Sequence, residues 1–341
     1  MNKEITAVLV GCGNISQVWL NAIQEIPDLK IIGLVDTVKE KAAIVAKNFG
    51  LSININTDLS ASLQQNLPDV VFDCTTPDSR MEIISTAFKY GCDVLVEKPL
   101  ASTLGEAKKI ILLSKKEKKM CATIQNHRYN PGTRRLSAFL KTGVLGEITF
   151  CSTNFFIGSK FDGFRNNMKH VLLQDMAIHT FDSVRAVLGT DPVSVYCKEW
   201  NPKGSWYDHD ASAVAIFEFA NSIVYTYQGS WCSQGLRTAW ESQWRINGTC
   251  GSVIWDGCEK FSAQILNSEN SGNSQFTDIS VPNLEKSSKT GGHFGVISDF
   301  IDCIRTKQSP ETICDDNIKS LQMVYAAIES SKQGKKVEVI G

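Results

Sequence analysis

Residues Ile5 to Ile15 constrain this chain more than any other stretch. Ile5, Ala7, Val8, Leu9 and Val10 form the short apolar run of a strand buried on both faces of a parallel sheet. Gly11-Cys12-Gly13-Asn14-Ile15-Ser16 then turns the chain into an amphipathic helical stretch that continues through Ile26. Gly11 permits a tight turn, and Gly13 leaves no side chain between the backbone and a pyrophosphate. The amides of Asn14 and Ile15 open the helix at the positive end of its dipole, where a phosphate is stabilised. The dinucleotide fingerprint usually carries a third glycine where this chain has Ser16, which is still small enough to keep helix and strand close.

An ordinary glycine turn reads the same way, so the second strand decides. Ile31 to Val35 ends on Asp36, where an acidic side chain accepts hydrogen bonds from the adenosine ribose hydroxyls. A carboxylate there repels a 2′-phosphate, and no arginine follows; only Lys39 lies near. NAD is therefore expected in preference to NADP.

At 341 residues the chain is long for one core, so two domains are expected. An apolar fraction of 43% and a charged fraction of 21% are those of a soluble globular protein. A formal net charge of −1 gives no electrostatic case for nucleic acid or an anionic membrane as partner. No apolar run reaches the length of a membrane span. Met1-Asn2-Lys3-Glu4 leads straight into the first strand and leaves no room for a signal peptide. The eleven cysteines are scattered and lack a Cys-x-x-Cys pair, so they read as small apolar packing residues in a reducing cytoplasm. Neither a disulfide framework nor a metal site is expected from their spacing.

Strand and helix signals then alternate. Helices are expected at about 38–49, 59–67, 79–90 and 103–119, with strands near Ile53 and at 70–74, 93–96 and 120–125. Asp78 or Ser79 is the expected cap of the third of these helices, and Thr103 with Glu106 the capping box of the fourth. Such alternation demands a parallel sheet wound on both faces, whose ligands sit outside the carboxyl ends of the strands. That rule puts Gly11, Asp36, Thr75, Thr76, Lys98 and Asn126 on one rim, with Gly13, Asn14, Ile15, Pro77 and Glu97 beside them as cofactor-binding candidates.

Beyond residue 126 the rhythm changes. A helix at about 133–141, a strand at 148–157 and a helix at 171–188 precede strand-like runs at 193–200, 211–219, 223–230, 240–246 and 252–255. Short connections between them mean an antiparallel or mixed sheet. Asn267 to Thr290, rich in Ser, Asn and Gly, reads as a surface loop region. Helices at about 296–305 and 316–331 and a strand at Val337 to Ile340 close the chain. The division expected is 1–125 and 126–341, with the last helix free to pack back on the first domain.

Two elements carry chemistry. Lys98 ends a strand on the nucleotide rim, and Pro99 biases it toward an extended conformation; a surface lysine at a strand end is the plain alternative. Asp175 and His179 share one helix face at a spacing of four. A carboxylate beside an imidazole favours its charged form, which suits an acid/base group. A salt-linked pair on a solvent face is the alternative, opposed by the apolar Met176, Ala177, Ile178 and Phe181 around it. Arg128, Tyr129, Arg165, His170 and Trp240 are candidate substrate residues, since polar groups and aromatic faces suit a sugar.

With the glycine turn, Glu97-Lys98-Pro99 and Asp175-x-x-x-His179 together, the chain resembles the glucose–fructose oxidoreductase / inositol dehydrogenase / rhizopine catabolism (Gfo/Idh/MocA) oxidoreductase family over almost its full length. Thr75-Thr76-Pro77, Arg128-Tyr129-x-Pro131, Gly292-His293 and Gly334-Lys335-Lys336-Val337 extend the likeness. The resemblance implies an α/β chain, with an N-terminal doubly wound Rossmann domain and a C-terminal α/β domain on a large, mostly antiparallel sheet. That sheet's outer face would make a homodimer or homotetramer interface. The family's catalytic lysine, aspartate and histidine map onto Lys98, Asp175 and His179, with no metal. Arg80 departs from the pattern, standing where many members have a histidine.

The reaction so implied is reversible oxidation of a secondary hydroxyl of a sugar or inositol-like polyol, with hydride passing to nicotinamide. His179 would accept the hydroxyl proton beside Asp175, and Lys98 would hydrogen-bond the reacting oxygen; the proton roles of His179 and Lys98 are interchangeable at this stage. Alternatives are a dehydrogenase of a modified or nucleotide-linked sugar, a redox-assisted glycoside-cleaving enzyme, and a non-catalytic NAD-binding sensor. Keeping the whole acid/base set argues against the sensor.

Overall fold

The computed structural model of the protein describes residues 3–161, 163–270, 273–284 and 289–339. The chain divides into two compact units, Met1–Tyr129 with Ser288–Ile318 and Asn130–Ser287 with Lys319–Gly341.

The first unit alternates β1 (Ile5–Val10), α1 (Asn14–Gln24), β2 (Leu29–Val35), α2 (Lys39–Asn48), β3 (Asn54–Asn56), α3 (Leu59–Asn66), β4 (Val70–Asp73), α4 (Arg80–Lys89), β5 (Asp93–Val96), α5 (Leu104–Glu117) and β6 (Cys121–Thr123). Among the described residues the six strands are all parallel, in the order β3-β2-β1-β4-β5-β6. Every residue of β4 is buried, as is all but one residue of β1, because helices cover both faces of such a sheet. The order reverses between β1 and β4, and that switch point is where ligands of doubly wound sheets bind. Thr103 accepts from the Glu106 amide at 3.1 Å and so starts α5. The start of α4 differs from expectation. No side chain caps it, a 3₁₀ turn Pro77–Ser79 leads into it, and Asp78 accepts from Ser102 Oγ at 2.8 Å instead.

Residues 289–318 return to this unit, a placement that reading along the chain does not give. The helix His293–Thr306 lays Val296, Ile297, Phe300 and Ile301 into the cluster that holds Trp19, Leu20 and Phe72. Thr312 O accepts the Thr123 amide at 3.0 Å, and Ile313 makes an antiparallel bridge to Ala122 beside β6.

The second unit contains α6 (Pro131–Lys141), β7 (Ile148–Phe156), a π-helical segment Leu172–Ala177 running into α7 (Ile178–Leu188), β8 (Pro192–Trp200), β9 (Ser212–Phe219), β10 (Val224–Ser230), β11 (Gln243–Gly248), β12 (Gly251–Trp255), β13 (Phe261–Asn270), β14 (Asn273–Ile279) and β15 (Val337–Glu338). Among the described residues they make a nine-stranded sheet, β14-β13-β12-β11-β7-β10-β9-β8-β15. Only the β7–β10 pair is parallel there. β8 and β9 alternate buried and exposed residues, the mark of a sheet covered on one face. Phe181 of α7 packs edge-on against Phe217 and Tyr227, ring centroids 5.0 and 5.2 Å away.

Two expectations need correcting in this unit. Much of Asn267 to Thr290 is not loop, since β13 and β14 pair antiparallel through it; residues 271–272 and 285–288 of that stretch lie outside the described residues. The helix expected from 171 to 188 is also not uniform, because its first part is π-helical. Ile340 of the expected last strand, and Met1 and Asn2 ahead of the first, lie outside the described residues as well.

Candidate active site

The glycine turn joins β1 to α1. Gly11 has φ +88°, and a Cβ there would meet the Cys74 backbone and Thr75 Cγ2 at 2.9 Å, so only glycine fits. Gly13 is extended, precedes the first turn of α1, and has no atom within 4 Å of where a Cβ would stand. No side chain caps α1, whose first residues are Asn14 and Ile15. Its amides there are the unsatisfied donors of a helix start. Ser16 is fully buried, and its hydroxyl donates to Gly13 O at 2.6 Å, closing the turn from within.

Asp36 follows β2 and accepts the Cys12 amide at Oδ2 and the Val38 amide at Oδ1, both at 2.8 Å. It therefore braces the glycine turn. Each carboxylate oxygen keeps a second lone pair for a further donor, and the side chain is half-buried rather than enclosed. Burial first, and then the Asp36 charge, push the Cys12 thiol up to about 12. The open space over Gly13, the uncapped helix start and the accepting capacity of Asp36 fit a dinucleotide.

Across the switch point, Asp73 ends β4. Its Oδ1 accepts the Thr75 amide at 2.9 Å and the Thr75 hydroxyl at 2.6 Å. Its Oδ2 lies 3.1 Å from Nε of Arg80, and both side chains are fully buried. Arg80 Nη2 donates to Thr75 O at 2.8 Å, and Nη1 donates to Pro99 O at 2.6 Å and to Glu97 O. A single guanidinium thus ties the residues after β4 to those after β5. Thr76 and Pro77 continue from Thr75 into the 3₁₀ turn.

Lys98 is half-buried, and the Lys98–Pro99 peptide is cis. Its amide donates to Glu97 Oε2 at 3.0 Å, while Trp19 Nε1 donates to Glu97 Oε1 at 2.7 Å and His293 Nε2 lies 3.8 Å from that oxygen. Burial raises the Glu97 carboxyl, but His293, Trp19 and the Lys98 charge together outweigh it and hold the group below its usual value. His127, in the turn that begins at Asn126, is pulled down to about 3 by burial, then by the positive charges of Lys98 and His293. Lys98 therefore sits among charges that act on one another. Trp19, Arg80 and His293 were missed as site-shaping residues. Only the Gly292-His293 motif and the Arg80 departure hinted at two of them.

In the second unit, Asp175 and His179 are both buried at 6% exposure. Asp175 lies in the π segment, whose wider turn changes the phasing that a spacing of four has on an α-helix. Its carboxylate is held by Arg165, Nε to Oδ2 at 2.7 Å and Nη2 to Oδ1 at 3.4 Å. The Arg165 guanidinium also lies over the Phe164 and Phe161 rings. Asp182, on the same helix, accepts from Ser320 Oγ at 2.7 Å and supports packing.

The remaining expected substrate residues separate. Arg128 and Tyr129 belong to the first unit and are buried: Arg128 donates to Glu311 O and Asp316 Oδ2, Tyr129 to Asp299 Oδ2 at 2.7 Å. They hold residues 289–318 in place. His170 Nδ1 lies 2.7 Å from Glu199 Oε2. Trp240 is 44% exposed and packs edge-on against Trp231.

Comparison with known proteins agrees with this architecture. The oxidoreductase family with an NAD-binding Rossmann fold matches residues 5–125, and that family's C-terminal alpha/beta domain matches residues 138–339. A D-apiose dehydrogenase of Paraburkholderia graminis is 21% identical, over 99% of this chain and 90% of its own. An inositol 2-dehydrogenase of Rhizobium meliloti is 19% identical, over 97% and 98%. The crystal structure of an oxidoreductase from Agrobacterium radiobacter in complex with NAD+, L-tartaric acid and magnesium shares the fold, with a TM-score of 0.85, 20% identity and 99% of both chains covered. Among the described residues no helix is long and apolar enough to cross a membrane. On these matches the chain belongs to the Gfo/Idh/MocA oxidoreductases, with an NAD-binding Rossmann domain and a C-terminal alpha/beta domain.

Proposed function

We propose that the protein oxidises a secondary hydroxyl of a sugar or inositol-like cyclic polyol to a ketone, reversibly. The observation that carries this reading is the anchoring of Lys98, on the same strand-end rim as the Gly11–Asp36 turn, by Arg80 and Glu97. Bound NAD supplies the hydride acceptor. Gly13, the α1 amides and Asp36 hold the nucleotide, with Thr75, Thr76, Pro77 and Asn126 along the rim. Lys98 donates a hydrogen bond to the reacting oxygen and stabilises the charge that develops on it as the proton leaves. His179 takes that proton, and Asp175, oriented by Arg165, stabilises the imidazolium. Relatives named for D-apiose and inositol support a polyhydroxylated substrate without phosphate. The unit of Asn130–Ser287 with Lys319–Gly341 carries substrate recognition in this reading.

The outer face of the large sheet supports self-association into a homodimer or homotetramer. Tyr196 and Ile216 pair across β8 and β9, 46% and 44% exposed, with Val214 at 38% two residues along β9 on the same face, so the apolar groups are contiguous there. Eleven free thiols suit a reducing cytoplasm. NAD reduction followed across a panel of free sugars, inositols and their phosphates tests the assignment. Saturable turnover with an unphosphorylated member is expected; NAD binding without turnover on any member would leave a sensor and overturn it.

A further inference from the structure

Glu199 occupies a position where a strand of this kind normally buries an apolar group. Along β8 the inward side chains before it are Val195 and Cys197, and the Glu199 side chain is itself only 1% exposed. Its Oε2 is engaged by His170 Nδ1 at 2.7 Å, while Oε1 is buried and has no hydrogen-bond partner among the described residues. An orphaned buried carboxylate oxygen is costly and calls for a partner. Asp210, at the far end of the β8–β9 connection, brings a second carboxylate, and one ligand atom from each of His170, Glu199 and Asp210 lies within 4.8 Å of the other two. Two carboxylates that close repel, and one imidazole offsets at most one of them. Lys332 also acts on Glu199, but from an exposed side chain. All of these groups belong to the second unit.

We propose that His170, Glu199 and Asp210 form a divalent-cation site of the nitrogen-plus-carboxylate class that takes Mn²⁺ or Zn²⁺. An imidazole with two carboxylates is a borderline donor set, and water completes the shell. Ligand atoms around one tetrahedral ion stand about 3.3 Å apart, a spacing between the 2.7 Å His170–Glu199 contact, which opens to admit the ion, and the 4.8 Å that bounds the cluster. The ion would take up the unpaired Glu199 oxygen and cancel the repulsion from Asp210. It would also fasten three separate segments: the end of β8, the chain two residues before the start of β9, and His170, which sits in the left-handed region at a φ of +54°. The segment from His170 leads directly into the π turn carrying Asp175. The site does not depend on the proposed dehydrogenase chemistry and stands or falls separately.

The test is a titration of the EDTA-treated full-length protein with Mn²⁺, followed by calorimetry and by loss of the free-Mn²⁺ paramagnetic resonance signal. Mn²⁺ is chosen because thiolates bind it poorly, which keeps the exposed Cys250 and Cys258 from competing. One equivalent is expected to bind saturably and to raise the melting temperature by about 2–4 °C. Asp210→Asn is expected to weaken binding by about tenfold or more, with an unchanged fold by circular dichroism. Glu199→Gln removes binding; if that buried change prevents folding, His170→Asn carries the same comparison. Absence of saturable Mn²⁺ binding below the millimolar range, or binding unaltered in both Asp210→Asn and His170→Asn, overturns the site.

Discussion

Replacing Arg80 by leucine removes a cation that is fully buried and touches four groups: the Asp73 carboxylate and the carbonyls of Thr75, Glu97 and Pro99. Leucine fills part of the volume but leaves Asp73 charged, buried and without its counter-ion. Truncating one partner of a buried ion pair costs about 3–5 kcal/mol, most of it from the charge left behind. The Thr75 amide and hydroxyl still solvate Asp73 Oδ1, which keeps the loss inside that range. With a urea slope of about 2–3 kcal/mol per molar, the unfolding midpoint should fall by about 1–2.5 M. Adding Asp73→Asn removes the stranded charge, so the double variant should recover about 1–3 kcal/mol relative to the sum of the single changes. The assay is equilibrium urea unfolding followed by tryptophan fluorescence, for which Trp19 reports on the same unit. A single-variant loss under about 1 kcal/mol, or strict additivity in the cycle, would refute the argument that Arg80 locks the Thr75 and Lys98 turns together.

Two other expectations concern the same unit. Asp36→Ser removes the charge that disfavours a 2′-phosphate, so the ratio of kcat/KM for NADP over NAD should rise by about 10–100-fold in steady-state rates; an unchanged ratio would dismiss Asp36 as the selector. His127 has a folded value of about 3 against an ordinary 6.5, so below pH 6.5 the unfolded chain binds a proton that the folded chain refuses. Stability therefore falls as pH drops from 6.5 toward 3, by up to about 1.4 kcal/mol per pH unit from this residue. Urea unfolding of His127→Gln at pH 6.5 and 5.5 should show a shallower acid loss than the parent chain, and equal slopes would refute the burial of a neutral imidazole there.

How much of this was legible in the sequence depended on where side-chain burial, and not backbone geometry, sets the structure. β1, β4 and β5 declare themselves because a parallel sheet covered on both faces needs unbroken apolar runs. β14 does not: residues 275–278 are exposed, and its pairing with β13 uses backbone groups that any residue supplies. Its mostly polar composition therefore reads as loop. The π turn around Asp175 is likewise a change of hydrogen-bond register with no residue type of its own. The partner of Tyr129 was hidden for a different reason. Its hydroxyl is held by Asp299, 170 residues later, and no local pattern signals that the chain returns. Arg80 stood out only as a departure from a family pattern, and its four partners needed coordinates.

The central claim is that Lys98 and His179 serve the chemical step rather than the folding or nucleotide binding of this chain. Single-turnover NAD reduction, measured with the best substrate of the sugar and inositol panel alongside NAD affinity by fluorescence titration, tests it most directly. For Lys98→Met and His179→Ala the expected result is a loss of NADH formation by at least about a thousandfold, with NAD affinity within about threefold of the parent. Turnover within about tenfold of the parent in either variant would contradict it.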